Sequence, residues 1–409
     1  MRFLFRPPAA EASGLLALPW DRPLEEWPGE ALLTVPQRGI SRHVVRFVAT
    51  EGTVYALKEI DDRLARREYA LLTDLAEEGL PAVEVLGVCV ERPDEQPAIL
   101  VTRYLEYSVS YRYLFSLARG GNSAGQLIDT IVELLVRLHL AGIFWGDCSL
   151  SNTLFRPDAG TMTAYLVDAE TVERHATLSP GQRDHDVELA TERIAAELMD
   201  LESGGLLPGS VDPVALAVSL RGRYEELWAE VTCDEIVSSD EQAQRMVERL
   251  RRLSDLGFDA GEVELTTSAE GSHLRVQTSV AEPDRHRHEL FRLTGLEVQE
   301  KQARRLLDDL AGFRAWLEQR DGVASSDIVA GHRWVGEVYQ PVVDAVPPSL
   351  AGRLAPPEVF HEILEHRWFL SEHAGGDVGT TDAAASYFAH VLPLTPQEIT
   401  TPSAMVAGL

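Results

Sequence analysis

The sequence predicts an α+β protein with two lobes, the first β-rich and the second helical, followed by a mainly α-helical C-terminal domain that carries a small β-hairpin. Three observations predict it. β-branched runs separated by turn residues surround one helix-like segment between residues 31 and 103. After Tyr104 the apolar spacing changes from alternation to the three-and-four rhythm of helices. Between the helix-like "IVELLVRLHLAGI" and the strand-like "TAYLVDAE" lies the polar loop "FWGDCSLSNTLF", which sets Asn152 five positions after Asp147, and Asp168 ends the strand-like run.

Taken in order, residues 1–30 are Pro-rich and read as an irregular extension packed on the first domain. "RHVVRFVA" and "TVYALKEI" are strands joined by "TEGT", a hairpin signal. "RLARREYALLTDLAEEG" has helical periodicity and stops at Gly79, which suits the position after a helix end. "PAVEVLGVCVE" and "AILVTRYL" are two further strands split by "RPDEQP". Residues 104–215 read as the helical lobe: "SYRYLFSLARG", "GQLIDTIVELLVRLHLAG", the polar loop with its strand, then "DHDVELATERIAAELMDLES". Residues 216–409 form the C-terminal domain, with helix expected over 216–256 and a hairpin from "EVELTTS" and "SHLRVQTSV". Its strongest helix, "VQEKQARRLLDDLAGFRAWLEQ", puts Ala303, Leu306, Leu307, Leu310, Phe313 and Leu317 on one stripe that must be buried. Trp316, Trp334 and Trp368 read as core or interface.

Composition narrows the function. A chain of 409 residues with net charge −28 repels a phosphate backbone, so nucleic acid is not an expected partner. The Arg pairs 66–67, 251–252 and 304–305 sit near acids and read as solvated helix faces. Cys89, Cys148 and Cys233 lack metal spacing and suit a reducing cytoplasm. No stretch approaches the roughly 18 apolar residues that span a bilayer, so no membrane insertion is expected. His361 and His366 in "HEILEH" are five apart, about 140° round a helix, which is the wrong spacing for a zinc-protease helix.

The chemistry concentrates in a few residues. Alternation in "VYALKEI" places Lys58 among apolar neighbours; its bland reading is a snorkelling edge lysine. Glu68 by itself reads as a surface charge on its helix. Asp147 and Asn152 by themselves read as turn formers, and Asp168 as a cap. Together they have another use. A lysine oriented by an acid holds phosphates, a carboxylate in a loop accepts a hydroxyl proton, and an amide with a carboxylate offers oxygen ligands to magnesium.

These residues, "VYALKEI" with Lys58, Glu68, "WGDCSLSN" and "LVDAE", together resemble the protein-kinase-like superfamily over roughly residues 35–200. The branch it is most similar to holds lipopolysaccharide kinases and aminoglycoside or choline phosphotransferases, whose loop reads His-Gly-Asp, four residues, Asn. The segments "LTGLEVQEKQARRLLDDL" and "EILEHRWFLSEHAG" resemble the C-terminal region of a functionally unassigned bacterial family with a lipopolysaccharide-kinase-like front half. The resemblance implies a kinase-like enzyme using ATP and Mg2+. Lys58 would bind the α/β-phosphates, Glu68 would orient it, Asp147 would be the catalytic base, and Asn152 and Asp168 would ligate magnesium. The adenine would lie against the linker at Arg103, Tyr104 and Leu105. Arg38, Gly39 and Ser41 of "PQRGISRHVV" would meet the phosphates, in a loop with a single glycine.

The chain also departs from the pattern. Trp145 replaces the loop histidine, Gly146 stands where regulated protein kinases have arginine, and Asp168 opens Asp-Ala-Glu, so that Glu170 adds a third acid. No Ala-Pro-Glu follows, which favours a small molecule or sugar over a peptide as the hydroxyl-bearing acceptor. Two other readings remain open: a pseudokinase scaffold that recruits a protein partner through the C-terminal domain, and a nucleotidyl (AMP) transferase on the same fold.

Overall fold

The computed structural model describes residues 1–28, 43–118, 120–232, 285–322 and 326–395, with the backbone of three strands at 235–237, 263–268 and 271–276. Arg38, Gly39, Ser41 and Cys233 lie outside the described residues. The chain forms the α+β arrangement expected, a sheet-rich front followed by helices. It divides into two compact units, Met1–Arg156 with Thr163–Tyr224, and Pro157–Met162 with Glu225–Pro396.

The first unit begins with an antiparallel sheet of β1 (Arg2–Phe5), β2 (Val44–Thr50), β3 (Thr53–Ile60), β4 (Val85–Val90) and β5 (Ala98–Arg103), in the order β1-β4-β5-β3-β2. The β2–β3 turn places both Glu51 (φ 52°) and Gly52 (φ 84°) in the left-handed region, the geometry that matches strand twist in two-residue hairpins.

The N-terminal segment is more regular than its prolines predict. It supplies edge strand β1 and helix α1 (Ala9–Leu16). Leu15, Trp20, Leu24 and Trp27 then pack on Tyr55, Leu57, Ile99 and Val101, with the two indoles edge to face at 5.7 Å. The physical reason is the apolar sheet face, which needs a cover. Arg92, whose side chain is fully buried, fastens that cover: its guanidinium binds the Glu59 carboxylate and the carbonyls of Trp20, Arg22 and Pro97.

The face bearing Lys58 is covered by α2 (Asp62–Glu77). Asp61 caps this helix by accepting from Arg63 N and Leu64 N, and Ala65, Leu72 and Leu75 are buried. The helical lobe has α3 (Tyr111–Leu117), α4 (Gly121–Leu140), the short pair β6 (Ile143–Phe144) and β9 (Glu173–Arg174), hairpin β7 (Thr153–Asp158) and β8 (Thr161–Leu166), α5 (Pro180–Ser203) and α6 (Pro213–Thr232). Ser179 and Gln182 form a capping box that starts α5.

The second unit has a three-stranded sheet, β10 (Glu235–Val237), β11 (Val263–Ser268) and β12 (Gly271–Val276), in the order β10-β12-β11. The expected hairpin is β11–β12; the third strand, at three residues, is too short for a periodic signal. Helices Arg285–Thr294, Glu300–Asp321, Asp327–Trp334, Gln340–Asp344, Pro356–Ala374 and Thr380–His390 follow. Helix Glu300–Asp321 buries Ala303, Leu306, Leu310 and Leu317 along the expected stripe, with Leu307 and Phe313 half-buried. Trp334 is fully buried against Tyr339 and Phe360. Trp316 and Trp368 are exposed and so lie outside the core. Trp316 lies off the stripe, stacked on Phe313 and covered by the Arg320 guanidinium at 4.6 Å.

The tip of hairpin β7–β8 is counted with this second unit. Ala159 sits at φ 52°, an unfavourable region for a residue with a Cβ. The buried Glu358 carboxylate holds it there, accepting from Ala159 N at 2.8 Å and Gly160 N at 2.9 Å. Gln302 donates its side-chain amide to Glu358 at 2.7 Å and its backbone N–H to Asp158 at 2.8 Å. Among the described residues no helix is long and apolar enough to cross a membrane.

Candidate active site

Lys58 projects from β3 on the face opposite Tyr55 and Leu57. Its ammonium lies 3.1 Å from Glu68 Oε2 on α2 and 3.1 Å from Asp168 Oδ1, just past β8. Glu68 is almost fully buried and also accepts from Ala169 N. Burial pulls Lys58 toward the neutral form, but the two carboxylates outweigh it and hold the ammonium above its usual range. A half-buried cation and a buried acid are tolerated because each is paired.

The polar loop is fixed at both ends by α5. Asp186, fully buried, accepts from Trp145 N at 2.6 Å and Gly146 N at 2.8 Å, and its Oδ2 lies 3.1 Å from His139 Nε2. Glu197 accepts from Leu150 N at 2.6 Å and Ser151 N at 3.1 Å. Between these anchors stands Asp147, whose Oδ1 pairs with Arg193 Nη1 at 2.7 Å. Gly146 has φ 74°, and a Cβ there would meet the Phe144 ring at 3.1 Å and Thr171 O at 3.3 Å, so the loop requires glycine. Trp145 is fully buried in the histidine's place. Cys148 is fully buried as well; burial, with the neighbouring acids, pushes its thiol well up and leaves it inert.

Asn152 donates Nδ2 to the Asp147 carbonyl at 3.1 Å, and because a carbonyl only accepts, this sets the amide's orientation. Asn152 Oδ1 is thereby turned away from that bond. Val167 N donates to Asn152 O at 3.1 Å, so Asn152 and Asp168, at the two ends of one hairpin, are tied together. Glu170 is occupied: its Oε2 is 3.0 Å from His43 Nε2, and its N–H donates to Asp168 Oδ1.

Lys58, Glu68 and Asp168 thus meet in one cluster, and Asp147 and Asn152 share one anchored loop, in the order strand, helix, loop, strand end. That arrangement is matched in sequence. Residues 53–197 match the lipopolysaccharide kinase (Kdo/WaaP) family. Residues 226–392 match a domain of unknown function, DUF4032. No curated protein matches the chain. Among solved structures, WaaP in complex with acyl carrier protein is 19% identical, covers 56% of this chain and 100% of its own, and has a TM-score of 0.34. An aminoglycoside-3'-phosphotransferase of type VIII is 17% identical, covers 59% of this chain and 99% of its own, and has a TM-score of 0.35.

Within the matched residues 53–197, the expected linker residues divide. The Arg103 guanidinium is held by Glu84 and Glu11, and its N–H donates to Glu84 O, so it points away from the cluster's chemistry. Tyr104 is buried edge to face with Phe47 at 5.8 Å. Leu105 O accepts from Ser108. What this linker could offer a base is backbone and apolar surface. The oxygen donors Asn152 Oδ1 and the Asp168 carboxylate fit magnesium, which takes few protein ligands and completes its shell with phosphate and water. Among the described residues no group of three or more His, Cys, Asp or Glu forms a metal cage.

Asp186, Glu197 and Arg193 escaped the sequence reading. The available signal was register: Asp186 falls in step with the buried positions Ala190, Ile194 and Leu198 of α5, and an acid on a core-facing stripe must be satisfying something.

Proposed function

We propose that this chain is an ATP- and magnesium-dependent phosphotransferase that modifies a hydroxyl group, on a small molecule or sugar in preference to a peptide. The observation that carries the reading is Lys58 of β3 held within hydrogen-bonding reach of both Glu68 of α2 and Asp168 just past β8. In this reading Lys58 binds phosphate oxygens of the nucleotide and Glu68 keeps its head in place. Asn152 and Asp168 hold the metal, and the backbone of Tyr104 and Leu105 faces the adenine. When bound, ATP would supply the phosphoryl group and the magnesium ion would neutralise the charge that develops on it.

Asp147 receives the acceptor's proton. Its Oδ1 is paired with Arg193, whereas Oδ2 takes no hydrogen bond among the described residues and is the oxygen free to accept. A carboxylate suffices because the proton moves late in a loose transition state.

The test uses full-length protein and γ-labelled ATP. Asp147→Asn is expected to bind Mg-ATP as the parent does and to lose at least ~100-fold in label release, the lower end of a general-base contribution. Undiminished activity would sink the assignment. Label passing to protein from the α-phosphate would move the chemistry to nucleotidyl transfer, and no nucleotide binding at all would leave a scaffold.

A further inference from the structure

Helix α5 sends three charged side chains to the candidate catalytic loop. Asp186, Arg193 and Glu197 are spaced seven and four apart, within one narrow face of the helix. The two acids are engaged with backbone N–H groups and hold the loop's frame. Arg193 is different, because its partner is the Asp147 carboxylate itself. The pair opens to solvent, with Arg193 42% and Asp147 22% exposed. A guanidinium has five N–H donors in a planar fork. Among the described residues Arg193 engages only Asp147, through Nη1 at 2.7 Å, so most of its fork is uncommitted.

Stability is a weak reason for this cation. Partly exposed ion pairs contribute little to folding. A chain with net charge −28 also repels anions at a distance, so an anionic ligand needs a cation at the point of contact. Arg193 stands at that point, one carboxylate away from the oxygen that serves the acceptor's hydroxyl.

Resting on the phosphotransferase reading above, we propose that Arg193 is the specificity-determining residue of the acceptor side: it binds an oxyanion, carboxylate or phosphate, that the acceptor carries close to the hydroxyl served by Asp147. The guanidinium stays ion-paired with Oδ1 through Nη1 and reaches the oxyanion with its remaining N–H groups, which leaves Oδ2 turned to the hydroxyl. A neutral polyol finds no partner for the fork and is disfavoured. A hydroxy acid or a phosphorylated hydroxyl compound fills it, and planar bidentate pairing gives the selectivity.

The experiment loads full-length protein with a non-hydrolysable ATP analogue and magnesium, so that the nucleotide's own phosphate positions are filled. Labelled inorganic phosphate and labelled glycolate are then titrated separately by equilibrium dialysis. At least one is expected to bind saturably; which one does identifies the oxyanion as phosphate or carboxylate. Arg193→Gln should weaken that binding at least ~10-fold, as loss of a charge-assisted hydrogen bond does, and Arg193→Lys should retain part of it. The ATP analogue should bind all three proteins equally. Neither anion binding the parent, or equal binding by the parent and both variants, overturns the proposal. Failure of the analogue to bind the parent is a separate result, which removes the phosphotransferase reading and this proposal with it.

Discussion

Replacing Asp186 with Asn probes how the candidate catalytic loop is held. The Asp186 carboxylate is fully buried, accepts from Trp145 N and Gly146 N, and faces His139 Nε2. Asn keeps one oxygen and turns the other position into a donor. Whichever way the amide is placed, a backbone N–H or the imidazole then meets an N–H group. One buried donor left unsatisfied costs about 1–3 kcal/mol, and weakening the remaining bonds by removing the charge adds roughly 1. The sum of about 2–4 kcal/mol is a large share of the usual 5–15 kcal/mol of a folded domain. Asp147 directly follows Gly146, so a loosened anchor also displaces the candidate base, and a shift of about 1 Å is worth ~100-fold in rate. The Lys58 cluster makes no contact with Asp186 and should bind nucleotide as before. Urea unfolding, calorimetry with Mg-ATP and release of γ-label measure the three effects separately. An Asp186→Asn protein with the parent's unfolding midpoint and the parent's rate would refute the anchoring argument.

Four further outcomes are expected. Lys58→Met should abolish tight Mg-ATP binding and lower the melting temperature, because Glu68 is left buried without its cation; unchanged calorimetry would remove Lys58 from the nucleotide site. Glu358→Ala frees Gly160 N, which water can satisfy, and the buried Ala159 N, which costs about 1–3 kcal/mol; an unaltered unfolding curve would contradict the grip on the hairpin tip. Iodoacetamide at pH 8 should leave Cys89 and Cys148 unlabelled until denaturant is added, since burial pushes Cys89 up to about 11 and Cys148 well above its usual range; mass spectrometry of peptides from the folded protein checks this. For Glu300, burial raises the carboxyl, but the His286 hydrogen bond and charge with two backbone N–H groups outweigh it and hold it below its usual value. A depressed folded value stabilises above the unfolded value of about 4.3 and is lost as pH falls through the folded one. Melting scans from pH 6 to 3 should therefore show a steeper acid loss in the parent than in Glu300→Gln, and identical scans would dismiss the contribution.

Local pattern determined much of this protein. β-Branched runs bounded by turn residues located β2, β3, β4 and β5, and three-and-four spacing located α2, α4, α5 and the Ala303–Leu317 stripe, because these signals depend only on near neighbours in the chain. Short-range spacing likewise brought Asp147 and Asn152 into one loop and put Asp168 at a strand end. Other features were decided only by the tertiary structure, because they join residues far apart in the chain. β1 becomes an edge strand by pairing with β4, more than eighty residues on. The N-terminal segment, Pro-rich and irregular by composition, is ordered by the apolar sheet face it covers. Arg103 lies in the expected linker, yet its side chain belongs to Glu11 and Glu84. The roles of Asp186, Arg193 and Glu197 appear only once their helix is packed beneath the loop. Glu358 meets Ala159 across 199 positions. Periodicity reports a residue's face but not its partner. A buried polar group is defined by its partner, since its desolvation is tolerable only where a specific donor or acceptor waits.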